Sequence, residues 1–163
     1  MVTFKNIHTL LTENPFFDGL SEDQFETLSG CGRLIHFRAG DFLLREGEEA
    51  NTFYLIRGGE VAIESHMPAG GPLSIARVGA GGIAGYSWLF PPYRNGFDTH
   101  ALTDGSAVAL DGACLRGKAE ADHELGYQLM KRFAQLMLER LQATRRQMLD
   151  IYASGRATYG AAG

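Results

Sequence analysis

The sequence predicts a mainly β domain with flanking α-helices, built as an antiparallel β-roll of the jelly-roll type. Between about residues 33 and 111, short strand-like runs recur roughly every ten residues with turn signals between them. Helical spacing of apolar residues replaces this pattern at both ends of the chain. The chain also has 21 glycines, enough to supply the corners of a roll of about eight strands.

Two short helices are predicted ahead of the roll, over residues 3–12 and 21–29. Ser21 is followed three residues later by Gln24, the spacing of a capping box at a helix start. The segment from Asn14 to Phe17 contains a proline and separates the two helices.

The predicted strands follow one another with clear breaks between them. Strand-like runs lie at residues 34–37, 42–44, 52–56, 60–64, 73–78, 97–102 and 107–110. Turn signals separate them at Ala39–Asp41, Arg57–Gly59 and Pro68–Pro72. Strands of this length and spacing are typical of an antiparallel barrel or jelly roll.

The chain becomes helical again after the strands, with a short helix over 113–120 and a long one over 122–152. One apolar stripe with three-four spacing consists of Met130, Phe133, Met137, Leu141, Met148 and Ile151, with Thr144 within it. A second apolar side contains Leu129, Leu136, Leu138 and Leu149. One side can cover the roll while the other meets a second copy, so residues 122–152 predict a homodimer.

These patterns divide the chain into four parts. We assign residues 1–30 to N-terminal helices, 31–112 to the β-roll, 113–152 to the C-terminal helices and 153–163 to a disordered tail rich in small residues. A length of 163 residues suits one domain with a full hydrophobic core.

Composition excludes several functional classes. A net charge of −4 argues against broad electrostatic binding of nucleic acid, and the sequence has no apolar run long enough for a membrane span. Without a signal peptide pattern, a cytoplasmic location is expected. Cys31 and Cys114 form no metal-binding pattern and are expected to be free thiols, and the scattered histidines predict no metal site.

The segment from Gly79 to Ala101 is the strongest candidate for a functional site. It combines a glycine-rich approach, a short apolar turn, two prolines and Arg94, which suits a loop that holds a phosphate. Arg94 is either a phosphate clamp or a surface arginine. Trp88 either lines a pocket or anchors the turn in the core, and Tyr86 either stacks on a base or fills space.

Taken in order, several segments resemble the cyclic nucleotide-binding domain family, and within it the sensor half of catabolite-activator (Crp/Fnr)-type regulators. The resemblance extends over roughly residues 15–152. The segments that carry it are Asn14–Phe17 with Leu20 and Ser21, Ala39–Asp41, Arg45–Gly47, Phe53–Val61, Gly79–Gly85, Ala101–Asp104 and Arg140–Thr144. The resemblance implies a double-stranded β-helix fold and a bound ligand such as cAMP or another cyclic nucleotide, with no metal.

The family holds the cyclic phosphate and ribose in a cassette with a Phe-Gly-Glu-x-Ala-Leu pattern and an arginine about nine residues after the glutamate. Gly85 matches the family glycine, but Tyr86 stands in the place of the glutamate. Asn95 or Gly96 falls near the arginine position, and Arg94 comes one or two residues early. The resemblance therefore implies a retained phosphate cradle with a changed or lost ribose contact.

The predicted ligand site combines this cassette with one residue of the long helix. Its residues are Gly81, Gly82, Gly85, Tyr86, Ser87, Trp88, Arg94, Asn95, Asp98, Thr99 and Thr144. Thr144 matches a base-contacting threonine of the catabolite activator protein, and it either reaches the ligand or lies in a helix-dimer seam.

Three functional hypotheses remain open. The first is a stand-alone sensor that binds a nucleotide-like ligand and signals through its dimer helix to an unknown protein partner. The second is a degenerate member that binds no nucleotide and acts as a scaffold, which the absence of the glutamate favours. The third is a Crp/Fnr-type transcription regulator, although we expect no specific DNA binding by this chain alone, because no basic recognition helix follows the long helix.

An enzyme is not expected, since Ser87 lacks the second glycine and the partners of a nucleophile elbow.

Overall fold

A computed structural model describes the chain from residue 4 to residue 161. Within that range the elements are α1 (Phe4–Thr12), a 3-10 turn (Pro15–Phe17), α2 (Glu22–Gly30), β1 (Gly32–Phe37), β2 (Phe42–Leu44), β3 (Thr52–Gly58), β4 (Val61–Met67), β5 (Gly71–Val78), β6 (Ile83–Ala84), a second 3-10 turn (Ser87–Leu89), β7 (Asp98–Ala101), β8 (Gly105–Asp111), α3 (Gly112–Ala121) and α4 (His123–Ala161).

The eight strands found in residues 4–161 form two four-stranded sheets. One sheet has the order β1-β8-β3-β6 and the other the order β2-β7-β4-β5. All the strand pairs are antiparallel, so the prediction of an antiparallel roll with flanking helices is confirmed.

Strand β3 shows how the sheets and helices form two hydrophobic layers. Its alternate residues Tyr54 and Ile56 pack between the two sheets. Phe53 and Leu55 point to the opposite face, where the helices cover the first sheet. Because both faces of β3 are covered, four consecutive residues of this strand are buried.

Side chains fix the N-terminal segment onto the roll. Ser21 and Gln24 form the predicted capping box, with reciprocal bonds of 3.2 and 2.9 Å. Asn14 is buried and uses both ends of its amide: its oxygen accepts from Phe16 N, and its nitrogen donates to the carbonyl of Gly81 at 2.8 Å. The N-terminal turn therefore holds the glycine-rich turn that precedes β6.

Helix α4 is longer than predicted. It continues through Ala161 instead of ending near Tyr152, so the prediction of a disordered tail from residue 153 is wrong for the described part of that tail. Ala153, directly after the predicted end, favours the helical conformation, whereas Gly155 disfavours it. Residues 162–163, like residues 1–3 of the predicted N-terminal segment, lie outside the described part of the chain.

The two cysteines form a disulfide, so the prediction of free thiols is wrong. Cys31 caps the end of α2, and Cys114 lies in the first turn of α3. Their Cα atoms are 6.3 Å apart although 83 positions separate them in the sequence. Spacing alone did not indicate this pair, because the antiparallel pairing of β1 with β8 brings the two helix ends together.

None of the helices in residues 4–161 combines the length and the hydropathy that a membrane span requires.

Candidate functional site

A small cavity lies inside the roll, next to the turn that follows β6. Its volume is about 20 Å³, close to that of a single water molecule. It is lined by Leu44, Ile63, Gly85, Tyr86, Ser87, Asn95, Gly96, Phe97, Thr99 and Arg140. Ligand pockets for small molecules usually measure about 300–1,000 Å³, so a nucleotide enters only if some of these side chains move.

Gly85 is the residue whose backbone shapes this wall. Its φ of +99° lies in the left-handed region that favours glycine. A Cβ atom there would lie 3.0 Å from Leu44 Cδ1 and 3.3 Å from the carbonyl oxygen of Thr52. A side chain at this position therefore meets both conformational strain and a tight neighbour, so the site depends on a glycine here.

Arg140 closes the cavity from the side of α4. Its guanidinium is half-buried and donates to the carbonyl oxygen of Ile83 at 2.9 Å. Burial lowers the pKa of Arg140 below its ordinary value, while the nearby Tyr86 and Glu139 oppose this shift. Among the described residues that line the cavity, Arg140 is the one cationic side chain.

Tyr86 occupies the cavity wall beside this arginine. Burial raises the pKa of its phenol, and the positive charge of Arg140 partly offsets that rise. The phenol is therefore neutral at pH 7 and can donate or accept a hydrogen bond, whereas it cannot act as a charged acceptor. Its ring meets that of Phe97 edge-on, with centroids 6.4 Å apart.

A larger and more open groove adjoins the cavity on the outside. Its volume is about 680 Å³, and it runs between the N-terminal turn, the Arg77–Ile83 segment and α4. Arg140 lines both the groove and the inner cavity. Movement of the Arg140 side chain away from Ile83 would therefore connect the two spaces.

The predicted site residues fall into three groups, the first of which shares the inner cavity. Gly85, Tyr86, Ser87, Asn95 and Thr99 all line it. Ser87 Oγ accepts from Gly96 N at 3.3 Å, which joins the two ends of the cassette. The buried Asn95 donates from its side chain to the carbonyl oxygen of Arg45 at 3.1 Å.

The second group lies next to the cavity without lining it. Gly81 and Gly82 line the outer groove. Trp88 is buried in the core, with its ring stacked on that of Phe53 at 5.1 Å. Of the two interpretations left open for Trp88, the structure therefore favours the core anchor.

The third group points elsewhere. Arg94 is exposed, and its backbone bridges to that of Glu49. The buried carboxylate of Asp98 accepts from Glu46 N at 2.7 Å and lies 2.8 Å from His66 Nε2. Thr144 is exposed, and its hydroxyl donates to the carbonyl oxygen of Arg140 at 2.9 Å, within the helix.

Sequence reasoning did not place Arg140 in the site. The resemblance included the Arg140–Thr144 segment, but only Thr144 was predicted there, either at the ligand or in a helix-dimer seam. Because Arg140 precedes Thr144 by one helical turn, both share one side of the helix, and that spacing was the available signal. The apolar wall residues Leu44, Ile63 and Phe97 carried no distinctive signal of their own.

The cavity combines one cation with neutral hydrogen-bonding groups. Its described lining contains the arginine, a phenol, two hydroxyls and an amide, and no carboxylate. Nor does any group of three or more His, Cys, Asp or Glu side chains within residues 4–161 form a metal-binding arrangement. The arrangement therefore suits an anionic group better than a cation.

Comparison with known protein families and relatives supports the same fold. The family model described as "Cyclic nucleotide-binding domain" matches residues 34–122. A cAMP-dependent protein kinase regulatory subunit from Dictyostelium discoideum is 27% identical over 70% of this chain and 35% of its own length. A CRP-like cAMP-activated global transcriptional regulator from Mycobacterium tuberculosis is 24% identical over 87% of this chain and 62% of its own length. The chain thus spans about a third and about three-fifths of these curated relatives.

Solved structures show the same similarity. A putative cyclic nucleotide-binding protein from Geobacter metallireducens aligns with a TM-score of 0.73 and 25% identity, over 86% of this chain and 99% of that one. A cyclic nucleotide-binding domain from Methylobacillus flagellatus aligns with a TM-score of 0.74 and 23% identity, over 90% of this chain and 83% of that one. Since the family model matches more than half of the chain, the protein belongs to the cyclic nucleotide-binding domain family.

Proposed function

We propose that this domain is a sensor that binds a phosphate-bearing, nucleotide-like ligand inside the roll, with cAMP or another cyclic nucleotide as the first candidate. The signal passes along α4, which pairs with a second copy, to a protein partner that is still unidentified. The function proposed is binding rather than catalysis, in the cytoplasm, without contact with a membrane. We also propose no specific DNA binding by this chain alone, in keeping with its net charge of −4.

The position of Arg140 carries this proposal. A half-buried guanidinium bonded to one backbone carbonyl retains further N–H donors for a phosphate. Arg140 also belongs to α4, so a ligand that draws the guanidinium from Ile83 changes how that helix packs on the roll. Such a ligand shifts the helix only by the difference between its affinities for the two arrangements.

The exposed side of α4 supports pairing with a second copy. Leu125, Leu129, Phe133 and Leu136 pack into the core beside the roll. Another set of positions follows heptad spacing along a different side, which we name the seam: Tyr127, Met130, Ala134, Met137, Leu141, Thr144, Met148 and Ile151. Leu141, Met148 and Ile151 are each 64–65% exposed in the single chain. A second copy of the helix would bury these residues.

Calorimetry with cAMP and 2′-deoxy-cAMP tests the ligand proposal. We expect binding of both with similar affinities, because the cavity offers no carboxylate to accept a hydrogen bond from the ribose 2′-hydroxyl. A site that pairs with this hydroxyl would lose about 1–3 kcal/mol with the deoxy compound. A loss of tenfold or more would contradict the expectation that Tyr86 does not replace the charged acceptor of the family.

The scaffold remains the second candidate, and two observations favour it. The inner cavity measures only about 20 Å³, and Tyr86 stands where the family has a charged acceptor. If neither nucleotide binds at millimolar concentration, the sensor proposal is wrong and the scaffold interpretation replaces it.

A further inference from the structure

Arg116 of α3 bonds to two separate segments of the roll. Its Nη1 donates to the carbonyl oxygens of Trp88 at 2.6 Å and Ala50 at 3.3 Å. Its Nη2 donates to the side-chain oxygen of Asn51 at 3.0 Å. One guanidinium therefore connects α3 to the β2–β3 loop and to the 3-10 turn Ser87–Leu89, which we name the cassette turn.

The same guanidinium stacks on the ring of Tyr93, with its central carbon 4.2 Å from the ring centroid. Tyr93 has a φ of +56°, a conformation that non-glycine residues rarely adopt. Its carbonyl oxygen accepts from Ala50 N at 2.7 Å. Neighbouring contacts thus hold Tyr93 in an unfavourable backbone conformation, and Arg116 contributes one of them.

The segment fixed by Arg116 continues directly from the candidate ligand site. Ser87 lines the inner cavity, and the next residue, Trp88, supplies the carbonyl bonded to Arg116. The Trp88 ring packs edge-on against Phe133 of α4, with centroids 5.2 Å apart. A movement of the cavity wall at Ser87 would therefore be transmitted both to Arg116 on α3 and to Phe133 on α4.

We propose that Arg116 is a positioning residue that holds the cassette turn in its ligand-binding shape and joins this turn to α3. Arginine suits the role because its planar set of donors reaches several acceptors while its face stacks on a ring, which lysine cannot reproduce. The effect on ligand affinity rests on the proposed function. The effect on the shape of the turn does not, because it follows from contacts within the chain itself.

Trp88 is the single tryptophan of the sequence, so intrinsic fluorescence reports directly on this turn. In the ligand-free protein we expect Arg116→Ala to shift the emission to longer wavelength and to increase quenching by acrylamide. Lys118→Ala is the matched control, since Lys118 is an exposed cation on the same helix. The control should keep the wild-type spectrum. Equal spectra for wild type and Arg116→Ala would overturn the proposal.

Two further variants separate positioning from general loss of stability. Val61→Ala removes volume from the core between the sheets without touching the turn, so it should lower the unfolding temperature and leave the folded-state emission unchanged. Arg116→Lys keeps the charge and should still show a red shift, which provides the test if Arg116→Ala fails to fold. A Lys variant with wild-type emission and quenching would count against the proposal.

The affinity arm uses cAMP as the probe. If the wild type binds it, Arg116→Ala should weaken binding about tenfold, the loss expected for a disturbed charge-assisted contact, and Lys118→Ala should not. Wild-type affinity in Arg116→Ala would overturn the link to ligand binding. If the wild type binds no cyclic nucleotide, the sensor proposal fails while the Trp88 spectra still decide whether Arg116 positions the turn.

Discussion

Two arginines are candidates for the proposed phosphate-binding residue. The sequence indicated Arg94 as a candidate because it follows the cassette turn, whereas the structure indicated Arg140. Arg94 is exposed and outside the cavity lining, whereas the Arg140 guanidinium lines the cavity and bonds to the carbonyl of Ile83, 57 positions away in the chain. Burial makes an ionic contact stronger than it is in open solvent. This difference favours Arg140, and the role of Arg94 stays a prediction.

Alanine variants of the two arginines distinguish these roles. Arg140→Ala should weaken cAMP binding by about 1.5–3 kcal/mol, the range for a hydrogen bond to a charged group. Arg94→Ala should change the affinity by less than about 0.5 kcal/mol, as for an ordinary surface substitution. Calorimetry on both variants measures the difference, and the reverse order of effects would restore Arg94 as the clamp.

Site residues that lie close together in the chain were predicted, whereas contacts between distant segments were not. Five cassette residues, including Gly85 and Ser87, were predicted at the site and do line one cavity, because they are close together in the chain and join one turn to one strand. Arg140 was not predicted there, since its contact depends on how a distant helix lies across β6. Asp98 was predicted at the ligand site but is held by Glu46 N and His66, a contact that depends on the pairing of β7 with β4.

At the scale of elements, helix α4 has two apolar faces with different environments. One face contributes Leu125, Leu129 and Phe133 to the core, and the seam leaves large apolar side chains in solvent. Apolar periodicity predicted two apolar sides, but it placed Phe133 in the stripe with Leu141 and Leu138 on the side of Leu129. In the structure Phe133 is buried in the core and Leu138 is exposed. The end of α4 was not predicted, since Gly155 and Gly160 indicate a break while the surrounding alanines favour continuation.

A charge placed in the seam should separate the proposed dimer. Leu141→Glu puts a carboxylate at the middle of the seam, where pairing would bury two like charges, so we expect a monomer at tens of micromolar. Gln142→Glu adds the same charge at the neighbouring exposed position and should remain dimeric. Sedimentation velocity measures the mass, and circular dichroism checks that the helix persists. A wild-type monomer under these conditions would refute the pairing itself.

At the scale of the whole molecule, the disulfide connects segments that the order of strands keeps far apart in sequence. Cys31 and Cys114 line a surface groove of about 380 Å³ beside β1 and β8, so a small reductant can approach them. The sequence predicted where the strands lie along the chain, because each strand is a local pattern. Which loops and helix ends meet depends on the completed sheets, and this pair was missed for that reason.

Reduction should lower the stability of the chain. Closing a loop across 83 positions restricts the unfolded chain and is worth about 4.5 kcal/mol in the chain-entropy description. Dithiothreitol reduces the disulfide to two thiols and is itself oxidised. We therefore expect it to lower the urea midpoint of the wild type. Cys114→Ser should have the lower urea midpoint without the reagent, and the reagent should not change that midpoint. Two titratable thiols in the untreated protein would show that the bond does not form.

The positions of the two cysteines also give the molecule a particular covalent topology. Cys31 directly precedes β1 and Cys114 follows β8 by a few residues, so every strand in the described part of the chain lies within one closed ring. The N-terminal helices and α4 are two tails attached at nearly the same point of that ring. A single backbone cut in any hairpin opens the ring without releasing a fragment. The connection between the tails therefore does not depend on the integrity of the roll between them.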